Sequence, residues 1–91
     1  MQVIPLLSGQ TNSDDGNSTS IPRNDGRDFI LAQFEITGTA TVKIQGRMNS
    51  GYSWVDIYET SSSEAKQVSR FPNMRAVVPS YTSGSISVAL A

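Results

Sequence analysis

TATVKIQGR, residues 39–47, sends Ala40, Val42 and Ile44 to one side of an extended chain and Thr41, Lys43, Gln45 and Arg47 to the other. A period of two with one apolar and one polar face marks a strand that packs on a core and meets water behind. The same rule extends in both directions. Upstream, DFILAQFEI (28–36) places Ile30, Ala32, Phe34 and Ile36 on one face, with Phe29, Leu31, Gln33 and Glu35 opposite. Downstream, MRAVVPSY (74–81) sets Met74, Ala76 and Val78 on one side, and its Pro79, which has no N–H to donate, marks an edge position or a bulge. SGSISVALA (83–91) closes the chain with Ile86, Val88 and Leu90 alternating with small residues. YSWVDIYE (52–59) is a strand of less unequal faces, Trp54, Asp56 and Tyr58 against Val55 and Ile57, entered through a tight reversal at MNSGYS (48–53).

Between these strands, TSSSEAKQ (60–67) is polar and reads as a loop with at most one helical turn. STSIPR (18–23) supplies one more short strand and NDGR (24–27) a turn. Two segments echo each other, TGTATVKI (37–44) and SGSISVAL (83–90), each with a Gly ahead of three alternating apolar positions, which suits a turn feeding a strand. Short strands at regular spacing, with no amphipathic helix of useful length, predict an all-β fold: a small antiparallel β-sandwich or jelly-roll-like barrel. The domain is expected over residues 18–91, with residues 1–17 as an extended N-terminal arm outside the compact unit.

Composition narrows the function. Ninety-one residues make one small domain that buries only about 60 to 65% of the surface its unfolded chain exposes. With no Cys to form disulfides or thiolate metal sites, association is the remaining common way to cover more. Seven basic and eight acidic residues leave a net charge of -1 without a basic run, so nucleic acid is not an expected partner. No segment reaches the roughly 20 apolar residues of a membrane span. The first seven residues lack the features of a signal peptide, and a cytoplasmic origin is expected.

No catalytic residue and no metal ligand set emerges. There is no His, which removes the usual general base and zinc ligand, and no thiol nucleophile. The acid pairs Asp56 with Glu59 and Asp25 with Asp28 read as solvated surface charges. NSDDGNSTS (12–20) crowds Asp14, Asp15 and Asn17 around Gly16, but a calcium loop needs a Glu six residues past its Gly, where this chain has Pro22. No cofactor is expected. The candidate partner-binding residues are Val3, Ile4, Pro5, Leu6 and Leu7, an apolar head whose proline favours an extended segment able to join a neighbour's sheet edge. The polar stretch after it is a spacer, and deletion of residues 1–8 is expected to leave a folded domain. A second candidate is a glycan platform of Tyr52, Trp54 and Tyr58, set against the plainer reading of Trp54 as the largest core residue. Arg47, Arg70 and Arg75 are able to bind an anion or to form cross-strand pairs.

From ITGTATVKIQGRMNSGYSWVDIYE through FPNMRAVVPSYTSGSISVAL, the chain resembles a group of small tailed-bacteriophage structural proteins. The likeness rests on Gly38, Thr41, Val42, Gln45, Gly46, Gly51, Trp54, Val55, Arg75, Val77, Tyr81, Gly84 and Val88, and it departs at RMNSGYSW, where an Asp-Gly turn is usual in that group. The resemblance implies a β-sandwich in the virion, made in the host cytoplasm. It implies a non-enzymatic capsid decoration or cement protein whose partners are the major capsid protein and copies of itself, as a homotrimer. The alternative it leaves open is a tail or fibre module that binds a host surface glycan.

Overall fold

A computed structural model describes residues 3–11, 19–20 and 28–91. Among these, eight strands follow one another: β1 (Ile4–Gln10), β2 (Thr19–Ser20), β3 (Phe29–Thr37), β4 (Ala40–Arg47), β5 (Val55–Thr60), β6 (Glu64–Ser69), β7 (Asn73–Tyr81) and β8 (Ser85–Leu90). They form two antiparallel sheets, in the orders β1-β8-β3-β6 and β2-β7-β4-β5. The pairings are nested: β1 with β8, β2 with β7, β3 with β6 and β4 with β5. This is one long antiparallel ribbon, rolled until β3 also meets β8 and β4 also meets β7. The result is an eight-stranded jelly roll.

The alternation read from the sequence is what closes it. Ile30, Ala32 and Phe34 of β3, Val42 and Ile44 of β4, Met74, Ala76 and Val78 of β7, and Ile86, Val88 and Leu90 of β8 are all buried in one shared core. Interdigitation of two such inner faces is the main source of stability in a sandwich.

Three local expectations are corrected. The apolar head does not lie outside the compact unit, because Ile4–Gln10 is the edge strand β1 and Leu7 is buried in the core. TSSSEAKQ contains no helical turn. Its Glu64 begins β6, an edge strand registered with β3 from Phe29↔Ser69 to Phe34↔Glu64. That strand buries only Val68, so it carries no visible period. Finally, the YSWVDIYE face assignment holds for Trp54, Asp56 and Ile57 but fails at Tyr58, because β5 bulges. Ile44 pairs Tyr58 while Gln45 pairs Asp56, which leaves Ile57 as an extra residue and turns Tyr58 inward. STSIPR and NDGR fall mostly outside the described residues, apart from the two-residue β2.

Pro79 sits at a second bulge. Thr41 pairs Ser80 and Lys43 pairs Val77, so two residues of β7, Val78 and Pro79, face the single Val42. The echoing glycines meet in space at one end of the roll, where β3 crosses to β4 and β7 crosses to β8. Gly38 and Gly84 both adopt positive φ, 82° and 91°. A Cβ on Gly84 would lie 1.6 Å from the Thr37 carbonyl oxygen, and one on Gly38 would lie 2.5 Å from that of Ser83. The two turns are tied together by Thr39 N–H to Ser83 O (3.1 Å) and Ser85 N–H to Thr37 Oγ1 (3.0 Å).

Candidate functional site

Running the strands away from the glycine turns brings the free surface features to the other end of the roll. On the first sheet, Phe29 and Leu31 occupy outward positions of β3 and are 52% and 50% exposed. Leu31 exchanges both backbone hydrogen bonds with Ala91, at 3.0 and 2.9 Å. Ile4 is registered with Leu90, so extending that register by one residue sets Val3, 63% exposed, beside Ala91. Val3, Ala91 and Leu31 thus form an apolar row across the sheet, with Phe29 at its corner. Large apolar side chains grouped on the water face of a small domain point to an interaction surface.

Next to this row lies a groove of about 230 Å³. Its cause is legible in β8, whose outward residues are small. Ser87 and Ala89 form the floor, Pro5 and Ser8 of β1 one bank, and Gln33 and Glu35 of β3 the other.

On the second sheet, the outward residues of β4, β5 and β7 form a continuous polar ladder. Lys43 pairs with Asp56 (Nζ to Oδ2, 3.3 Å), and Gln45 Nε2 donates to Asp56 Oδ1 (2.7 Å). The other end of the same amide, Gln45 Oε1, accepts from Arg75 Nε (2.8 Å). Arg47 Nε donates to Asn73 Oδ1 (3.1 Å). Both guanidiniums stand over the Trp54 ring, with 4.1 Å from Arg47 and 4.4 Å from Arg75 to the ring centroid, close enough for cation–π attraction. The hydrogen bond from Gln45, followed by that from Lys43, holds the Asp56 carboxyl below its ordinary value of 3.8.

Trp54 is therefore not the core residue that its size suggested. Phe71, from the β6–β7 connection, fills the inner space there, since a Cβ on Gly46 would lie 2.6 Å from the Phe71 ring. Trp54, half-buried, precedes β5 and packs outside. The three proposed platform rings are not brought together. Tyr58 faces inward, 5.7 Å between ring centroids from Phe34, and donates a hydrogen bond to Glu64, which pushes its pKa above 10.0. Tyr52 is exposed in the β4–β5 turn, where Asn49 Oδ1 accepts from Gly51 N–H at 2.8 Å.

The five residues of the apolar head are divided. Val3 and Pro5 are exposed, whereas Ile4 and Leu6 pack against the domain's own core and Leu7 is inside it. Asp14, Asp15, Gly16, Asn17 and Asp25 lie outside the described residues. Among the described residues, no three His, Cys, Asp or Glu side chains gather as a metal site, and no helix is long and apolar enough to cross a membrane.

The exposed pair Phe29 and Leu31 was the feature that sequence reasoning passed over. Its signal was present, as two large apolar residues at positions that the alternation assigns to water. No known protein family, curated protein or solved structure matches this chain.

Proposed function

We propose that this protein is a non-enzymatic structural component of a bacteriophage virion, a capsid decoration protein that docks on the head lattice through the outer face of its first sheet. The observation that carries the docking assignment is the apolar row of Val3, Leu31 and Phe29 beside the small-residue groove of β8. The phage assignment rests on the sequence resemblance. It is supported by the jelly roll, an architecture that recurs in viral capsid domains and also in lectins and cupins.

The arm takes a narrower role than the sequence alone suggested. Val3 and Pro5 contribute contacts to the major capsid protein, while Ile4, Leu6 and Leu7 fasten β1 to its own sandwich. Among the described residues, β1 and β5 each have a strand neighbour on one side only, and a closed homotrimer on the three-fold positions of a lattice covers such edges without open-ended growth. A glycan-binding tail module is the weaker reading, because Tyr58 is turned away from Trp54 by the bulge at Ile57.

The test is occupancy on heads purified from the phage that encodes the protein. Leu31→Asp and Phe29→Ser replace outward side chains, so each variant is expected to keep its urea midpoint and to lose head binding. Wild-type occupancy for the double variant would refute the docking face.

A further inference from the structure

We infer that Arg47, Arg75 and Trp54 form a second docking point, on the opposite face of the roll, that receives a side-chain carboxylate from a partner protein. It does not depend on the first sheet's role.

The two guanidiniums are fixed before any ligand arrives. Each spends its Nε–H on a side-chain carbonyl oxygen, Asn73 Oδ1 for Arg47 and Gln45 Oε1 for Arg75, and each lies against the same indole. Flexible cations held in place lose less entropy on binding than free ones. Their terminal Nη groups make no hydrogen bond or ion pair among the described residues.

The chain has a carboxylate within this ladder, yet it does not neutralise them. Asp56 is held by Lys43 and by the amide nitrogen of Gln45. Gln45 therefore acts as a spacer, giving its oxygen to Arg75 and its nitrogen to Asp56. Among the described residues, the arrangement keeps one anion on one side of Gln45 and leaves two cations without a counter-charge on the other.

The rim selects the kind of ligand. Met48 and Tyr52, in the β4–β5 turn that follows Arg47 and precedes Trp54, are 55% and 61% exposed. Arg, Trp, Tyr and Met are the residue types enriched at protein interfaces, and Arg, Trp and Tyr dominate their energetic centres. A polyphosphate or nucleic acid ligand would call for a broad basic field, but the chain's net charge is -1. A guanidinium fork matches a carboxylate in two parallel hydrogen bonds, and this favours an acidic side chain seated among apolar contacts.

Trp54 is the only Trp in the chain, so its fluorescence reports on the site directly. The full-length protein is titrated with a short capped peptide carrying adjacent aspartate and glutamate between leucines, with its asparagine–glutamine counterpart, and with inorganic phosphate. The expected result is a saturable change with the acidic peptide, half-complete below about 10 mM, and none with the amide peptide. An Arg47→Lys, Arg75→Lys double variant keeps the charge and loses the forks, and should bind at least about tenfold more weakly. If the double variant does not fold, Arg47→Lys alone is expected to show weakening in the same direction. No saturable change, an equal response to the amide peptide, undiminished binding by the Lys variant, or an equal response to phosphate would each overturn the assignment.

Discussion

Replacing Gly84 with Ala tests how this small roll is held shut at its turn end. Two costs combine. An L side chain at φ +91° is strained by about 1 to 3 kcal/mol. The added Cβ would also stand 1.6 Å from the Thr37 carbonyl oxygen and 2.4 Å from its carbon, both backbone atoms that cannot swing aside. Relief requires the β3–β4 and β7–β8 crossings to separate, which disrupts Ser85 N–H to Thr37 Oγ1 (3.0 Å) and Thr39 N–H to Ser83 O (3.1 Å). Each lost hydrogen bond costs about 0.5 to 1.5 kcal/mol. The sum is about 2 to 6 kcal/mol, a large share of what a domain of this size possesses. The control is Gly9→Ala, where φ is also positive (63°) but a Cβ would meet nothing within 4 Å. That substitution should cost about 1 to 2 kcal/mol. Urea unfolding of the two variants, followed by far-UV circular dichroism, measures the difference. At about 4 to 8 °C per kcal/mol for a domain of this size, the melting temperatures should also separate clearly. If Gly84→Ala is no more destabilising than Gly9→Ala, the contact between the two glycine turns is not what holds that end together.

Leu7→Ala should destabilise by about 2 to 4 kcal/mol, because Leu7 is a core residue rather than part of a free arm. Deletion of residues 1–8 should cost at least as much in a urea titration, and an unchanged midpoint would restore the detached-arm reading. Asp56 gives an acid-side prediction. Its folded pKa is lowered, so the stability it contributes is present above the unfolded carboxylate value and is lost as pH falls through the folded one. The gap in urea midpoint between the wild type and Asp56→Asn should therefore be present at neutral pH and close towards about pH 2. A gap that is constant with pH would show that Gln45 and Lys43 do not favour the charged carboxylate.

The sequence by itself determined the inner faces. Alternation at Ile30 to Phe34, Val42 to Ile44, Met74 to Val78 and Ile86 to Leu90 is a local property of an extended chain, so burial of one face followed from residue order alone. Pro79 was likewise legible, since a missing N–H constrains any ladder. The rest depended on contacts between distant segments. β6 buries a single residue and exists because β3 offers it a full backbone ladder, which leaves no mark on its own side-chain pattern. β1 has the sequence pattern of an arm because the residues that follow it are polar, whereas its partner, β8, lies at the far end of the chain. The glycine echo was visible, but only the roll brings Gly38 and Gly84 face to face. One extra residue at Ile57 reversed the sense of Tyr58, as any one-residue slip does when side chains alternate with period two. Phe71, arriving from a loop, filled the space that Trp54 would otherwise have taken. With the indole left outside, Arg47 and Arg75, which are 28 positions apart in the chain, came to lie over the same ring.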